Sequence, residues 1–322
     1  MRVFRYLLYF FLFIVLAIGA FVAFLEIRGI PKYEVEQTTF PAVQGDSTGL
    51  ARGAIIASLQ CNFCHMGSDG KLSGRLVTEI PTYFGHVHSA NITQSKENGI
   101  GSWTDAQIVY FLRTGVKPTG QYVPIYMPKY IHMSDDDIRG VLSFLHSNNP
   151  VVQPSEIPAV PCQPSLLTKF LCLVAFKKIP YPTAPVVVPD TNNLVAYGKY
   201  LVTGRYDCYP CHSADFKTVN MAAPETTPGY MGGGNTLITR SGQQIFSANI
   251  TPDEKTGIGN WTEEDFRLVM LRQKNKDGRP VRQPMLPFNQ LTDLEIKAIY
   301  KYLMTLPPIK NEVNRQWDNA EL

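Results

Sequence analysis

Two short segments hold the residues best suited to chemistry: CNFCH at 61–65 and CYPCH at 208–212. Each sets two thiols three residues apart with an imidazole directly behind. On one helical turn the thiols share a face. They can bond two neighbouring vinyl groups of one porphyrin as thioethers, and the histidine beneath can then ligate its iron. Cys61, Cys64 and His65 are the candidate site for one c-type haem, and Cys208, Cys211 and His212 for a second. Haem iron takes a further axial partner. Met127, in YMPKYIHMSDDD, and Met285, in PMLPFNQLTDLE, each stand seven residues before a helix cap. A thioether ligand favours ferrous iron and raises the potential, which suits electron transfer. The expected metal ligands are therefore His65 with Met127 and His212 with Met285.

Rival readings of the same residues are weaker. A zinc site would need further Cys or His close by, and two distant CxxC pairs do not supply it. A thioredoxin-like redox pair would need a βαβ context, which the pattern lacks. A methionine among apolar residues is ordinarily core filler; here the matched positions argue otherwise. Met133 is poorer because its counterpart is Leu291, and Met221 and Met231 have no counterpart. His86 and His88 are alternative ligands in the first site. His132 and His146 are expected to face solvent.

The elements that position these groups come in two copies. ANITQSKENGIGSWTDAQ begins at Ala90 and ANITPDEKTGIGNWTEED at Ala248. The match continues from Trp103 to Trp261, Met127 to Met285 and SDDDI at Ser134 to TDLEI at Thr292. Ala90 follows Cys61 by 29 positions and Ala248 follows Cys208 by 40, so the second copy carries an insertion of eleven in the stretch MGGGNTLITRSG. An internal repeat of this length means two related units, placed at 48–149 and 192–307. Each reads as helical. Thr292 and Glu295 form a capping box ahead of Ile296, Ile299, Tyr300 and Leu303. Ser134 caps the matching helix with Ile138, Val141, Leu142 and Leu145. Thr104 with Gln107, and Thr262, open the helices between. A short helix is expected before each CxxCH, near Leu50–Leu59 and Leu194–Val202. The fold class is all-α, and so small a core would gain much from a large apolar prosthetic group.

Three segments lie outside these units. Tyr6 to Leu25 is a run of twenty uncharged residues, about 30 Å as a helix and enough to span a hydrocarbon core. It exceeds a signal-peptide core and is followed by no small-x-small site, so 1–28 reads as a retained membrane anchor. Arg2 and Arg5 then stay cytoplasmic and the rest lies outside, on the periplasmic side of a bacterial cytoplasmic membrane. Residues 29–47 read as a polar tether, with Pro31 and Pro41. Nine prolines between 150 and 190 make 150–191 an extended connector, interrupted by SLLTKFLCLVAFKKI, a short helix expected to pack on a unit or touch the membrane or a partner. A tail, 308–322, follows. Net charge is +3 with 18% charged residues, so no nucleic-acid-binding field exists.

Trp103 and Trp261 either donate an indole N–H to a haem propionate or simply pack. Asn91 and Asn249 brace the same loop or bond a propionate. Cys162 and Cys172 remain once the motif thiols are used, and an oxidising compartment allows a disulfide between them.

On these motifs both units resemble class I cytochrome c domains. The second, with GGGNTL, IFSANITPDEKTGIGNWTEEDF, MLPF and LTDLEIKAIYKYLMTLPP, is similar to domains in the cytochrome c subunits of membrane-bound alcohol and gluconate dehydrogenases. Those subunits carry three haem motifs where this chain has two, and are commonly anchored at the other end. The resemblance implies two tandem helical domains, each around one covalently bound haem c with His/Met ligation, and electron transfer outside the cytoplasmic membrane. The expected redox partners are a quinol-oxidising complex or dehydrogenase and a terminal oxidase. No catalytic residue is implied. A dihaem peroxidase, with one haem open to substrate, is the alternative. A subunit whose haems only hold the fold is a third.

Overall fold

Each CxxCH motif closes a helix that the last helix of the same repeat crosses. The structure, a computed structural model, describes residues 2–40 and 47–314; Pro41 with the rest of 41–46, Met1, and residues 315–322 of the tail lie outside it. The elements run α1 (Arg2–Arg28), α2 (Ser47–Gln60), α3 (Asn62–His65), β1 (Gly85–His86), α4 (Asp105–Thr114), α5 (Asp135–Leu145), β2 (Gln163–Pro164) and α6 (Leu166–Val174). Then come α7 (Leu194–Tyr200), α8 (Tyr209–His212), β3 (Thr236–Ile238), β4 (Gln244–Phe246), α9 (Glu263–Arg272) and α10 (Asp293–Leu303). The chain is mostly helical, as expected. Its strands form two short antiparallel pairs, β1 with β2 and β3 with β4.

The caps follow the sequence. Thr104–Gln107, Thr262–Asp265 and Thr292–Glu295 each make a reciprocal capping box, and Ser134 accepts from the Asp137 amide. These satisfy amides that a helix N-terminus leaves without partners.

Two glycines permit the crossings. A Cβ on Gly53 of α2 would sit 1.8 Å from the Gly140 carbonyl oxygen of α5, and one on Gly198 of α7 would sit 1.9 Å from that of Ala298 in α10. Backbones meet this closely only where no side chain intervenes. Gly53 precedes Cys61 by eight residues, but Gly198 precedes Cys208 by ten. The additional two are absorbed by a π-helical turn at Leu201–Arg205, a widening often found beside functional positions.

The first half is centred on Ile56, Leu72, Ile108, Ile138 and Leu142, the second on Leu201, Met231, Phe266, Ile296 and Leu303. The division is not clean. Leu59 of α2 is buried in the second core, with Ile55 packed beside it. Burying a leucine contributes about 2 kcal/mol, so the first half's own helix helps hold the second.

A buried ionic knot closes the seam. Arg205, from the π turn, donates to Asp137 at the start of α5 (2.6 Å) and to Glu295 of α10 (2.7 Å). Arg52 pairs with Asp137 at 3.1 Å. Tyr200 donates to Asp137, and Tyr206 to Glu295 at 2.9 Å. Buried charges persist only when paired and hydrogen-bonded in this way. His132, expected to face solvent, is instead partly buried at the seam with its Nε2 2.9 Å from the Met221 carbonyl oxygen. The reason is that the second half covers it. His146 is exposed beside Asp105, as expected.

Residues 29–40 and 150–190 are laid over the first half. The Tyr33 amide donates to Gly120 O at 2.9 Å, and Ile30, Tyr33 and Val35 pack on a cluster of Phe84, Tyr110, Tyr122, Cys172 and Phe176. Leu72 and Asp135 amides donate to Val151 and Val186 carbonyls, and Tyr181 stacks on Tyr110.

The allowed disulfide is not formed. Cys172 points from α6 into that cluster, fully buried, while Cys162 donates to the His88 carbonyl at 3.1 Å. Burial pushes the Cys172 thiol up to about 11. We expect alkylation without reductant to modify Cys162 in the folded protein and Cys172 only after denaturation. A mass unchanged by denaturing alkylation would establish a disulfide instead.

Candidate haem sites

The two motifs are built alike. α2 runs into α3, and α7 with its π turn runs into α8, so each pair of thiols rides on a single helical turn. His65 is buried, and its Nδ1 lies 2.7 Å from the Ala90 carbonyl oxygen. His212 Nδ1 lies 2.9 Å from that of Ala248. These alanines open the two ANIT segments, so the repeat supplies the same contact in both halves despite the insertion. A carbonyl at Nδ1 fixes the tautomer with the proton there, and Nε2 is left as the lone-pair donor. Burial lowers the His65 pKa, which favours that neutral form.

The thiols are neutral too. Burial first, then the partner Cys64, pushes Cys61 up to about 12, and burial foremost pushes Cys64 to about 11. Cys208 is raised further, by burial and then Asp207. Cys211 is pushed up to about 12 by burial, then by Asp207 and by Cys64 of the other motif. The two motifs are therefore neighbours across the seam. Tyr130, buried in the first half, feels Cys61, Asp207 and Cys64 together. Among the described residues no three His, Cys, Asp or Glu side chains converge as metal ligands would. Paired thiols followed by an imidazole held at Nδ1 by a backbone carbonyl fit covalent haem.

Met127 packs against the first core and Met285 against the second, both partly buried. Their loops are pinned from within. Lys129 is buried and donates its Nζ to the Met127 carbonyl at 2.6 Å, and burial pulls its pKa down to about 7. In the second half Gln273 Nε2 donates to the Leu286 carbonyl at 3.0 Å instead. Met285 also lines a cavity of about 260 Å³ with Asn62 and Phe63 of the first motif, its neighbours Ser58 and Met66, and Arg240. Met133 and Met231 are core residues.

Trp103 packs edge-on to Phe111, and the Trp261 carbonyl accepts from Tyr300 at 2.8 Å; both rings border their cores. Asn91 and Asn249 brace. Each Oδ1 accepts from the amide and hydroxyl of the threonine two residues on, and each Nδ2 donates to a backbone carbonyl beyond the last helix, of Ile157 or Ile309. His86 is exposed, and His88 lies beside Cys162.

The chain is similar to known cytochrome c subunits. The chain is 27% identical over 292 residues to the cytochrome c subunit of alcohol dehydrogenase (quinone) from Gluconobacter oxydans, covering 87% of this chain and 59% of the relative. Its homologues are cytochrome c subunits. The gluconate 2-dehydrogenase cytochrome c subunit of Pantoea cypripedii is 27% identical over 277 residues, 82% of this chain and 60% of its own length. A diheme cytochrome c-type protein of Cereibacter sphaeroides is 25% identical over 261 residues, 78% and 83% respectively. The chain thus spans under two thirds of the dehydrogenase subunits it matches. No family model matches it.

Several site residues were not singled out from the sequence. Arg113 lies in α4 yet is fully buried, donating to the Tyr130 and Met133 carbonyls and to Asp135 at 2.7 Å, which fixes the loop after Met127. The insertion in the second copy is the β3–β4 hairpin. Its tip carries Arg240 across to Glu79 (3.3 Å) and over the Phe63 ring (5.9 Å), where Arg75 also binds Glu79 and the Phe63 carbonyl. An insertion present in one copy only was the available signal.

Asp207 precedes Cys208 with φ +51° and is pushed up to about 7 by burial. An acid whose folded pKa lies above its unfolded value, 3.8, binds its proton more tightly when folded. Stability then falls as pH rises from about 4 through 7. We expect Asp207→Asn, which tolerates the left-handed backbone, to flatten that fall and add about 2 kcal/mol at pH 8, the full shift being discounted for a partly exposed residue. Denaturant unfolding at pH 5 and pH 8 measures it; an equal slope with pH in both proteins would refute it.

Proposed function

We propose that this chain is a membrane-tethered dihaem c-type cytochrome that carries electrons between a dehydrogenase or quinol-oxidising complex and a terminal oxidase, outside the cytoplasmic membrane. The observation that carries the reading is the duplicated motif geometry: two thiol pairs, each with an imidazole held at Nδ1 by the first carbonyl of ANIT. Two tandem class I cytochrome c domains, 48–149 and 192–307, would provide it. Haem bound there supplies reversible one-electron exchange.

The chain's own residues do the rest. Cys61 and Cys64, and Cys208 and Cys211, would form the thioethers. His65 and His212 would offer Nε2 to iron, and Met127 and Met285 would offer sulfur from the pinned loops. Trp103 and Trp261 would wall the two pockets. Arg205 and its carboxylates hold the halves in one arrangement. α1 is long and apolar enough to cross a membrane, and serves here as the anchor with Arg2 and Arg5 cytoplasmic. Relatives that are subunits of gluconate and fructose dehydrogenases support a dehydrogenase as donor.

The test is the protein purified from membranes of a host that matures c-type cytochromes. Expected are two haems per polypeptide, a sharp α-band on reduction, retention in the membrane after alkaline carbonate, and reoxidation by an added oxidase. A bare polypeptide mass would refute the reading. Carbon monoxide uptake at one haem would favour a peroxidase instead.

A further inference from the structure

α6 is apolar apart from Thr168 and Lys169. One face docks on the first half through Thr168 and Cys172, both fully buried, with Thr168 Oγ1 donating to the Phe84 carbonyl at 2.8 Å. The other carries Leu166, Leu167, Phe170 and Val174, which are 37–56% exposed. Residues 166, 170 and 174 are four apart and form one stripe. Such a stripe belongs against protein or lipid; among the described residues Phe170 meets α1, and nothing covers the rest.

Its position relative to α1 says what does. Phe170 meets Phe21 edge-on at 6.2 Å, and Lys169 pairs with Glu26. Phe21 lies four residues inside the end of the apolar run at Leu25, roughly 6 Å along the helix. If α1 spans the bilayer, Phe170 is held below the hydrocarbon boundary. The flanking charges fit that depth. Arg28 ends α1, and Lys177 lies three residues past α6, donating back to the Leu173 carbonyl. Both would meet lipid phosphates.

We propose that α6 is a second membrane contact: an interfacial helix lying in the outer leaflet, its Leu166–Val174 stripe among acyl chains and Arg28 and Lys177 at the headgroups. With α1 it gives two points of attachment, which fixes the tilt of the first half on the membrane. This rests on the anchor reading.

The experiment places a photoreactive benzophenone in the full-length chain in phosphatidylglycerol-containing liposomes, as Leu167→p-benzoylphenylalanine or Val174→p-benzoylphenylalanine. Phe13 in α1 and the exposed Val187 receive the same substitution. Adducts are identified by mass. Lipid adducts at 13, 167 and 174, at least tenfold above position 187, are expected. Lipid at 13 without lipid at 167 and 174 leaves the anchor intact and overturns the proposal. Adducts to a second copy of the chain, or equal lipid labelling at 187, also overturn it. No lipid at any position refutes the anchor and the proposal together.

Discussion

Replacing Cys208 and Cys211 with serine is expected to halve the proposed covalent haem per polypeptide, from two to one, and to leave the first site filled. A serine hydroxyl cannot form the thioether, so attachment at the second motif is lost outright rather than weakened. The first site should survive because its proposed ligands come from its own repeat: α3 for the thiols and His65, Ala90 for the Nδ1 contact, and the Met127 loop tied by Lys129. The measurement is the pyridine haemochrome ratio with intact mass. A double serine variant that keeps both haems would refute the assignment of 208–212. The reciprocal change at Cys61 and Cys64 should cost the other haem. Met285→His, which keeps the haem, should instead lower one potential by a sizeable part of the ~0.8 V range that axial ligands command.

The second large effect is expected from Arg205→Ala. That change leaves Asp137 and Glu295, both buried, facing each other without the cation between them. Removing one partner from a buried ionic group costs about 3–5 kcal/mol, because the remaining charges are neither solvated nor paired. Arg52 stays near Asp137 but is partly exposed and does not reach Glu295, so it offsets little. Arg205→Lys should recover only part, since an ammonium cannot fork to two carboxylates. Guanidinium unfolding measures the loss, and a cycle with Asp137→Asn should show coupling of about 0.5–3 kcal/mol. An Arg205→Ala variant within 0.5 kcal/mol of the parent would mean the knot is not structural.

Much of this was legible in the residues. The caps at Thr104, Ser134, Thr262 and Thr292 were readable because capping chemistry is local. The motif thiols and histidines were readable because their spacing is itself the chemistry. What stayed hidden depends on distance in space. Nothing adjacent to Arg113 or Lys129 marks them as buried, and helical sequence ordinarily puts such side chains in water. His132 was read as a solvent-facing residue because its partner, the Met221 carbonyl, lies 89 positions away. The free state of Cys162 and Cys172 likewise depends on where α6 docks, which the nine-residue interval cannot express. Asp137 and Glu295 were visible as helix-start acids at matched positions, but their common cation comes from a π turn that only one repeat contains.

The placement of Leu59 and Ile55 has a practical corollary. They come from the helix that leads into the first motif, yet they complete the second hydrophobic cluster. Severing the chain in the proline-rich stretch would therefore strip the downstream fragment of part of its interior and bare a greasy patch. Such a fragment should aggregate or recruit a substitute, so the molecule is better pictured as an interlocked pair than as beads on a string.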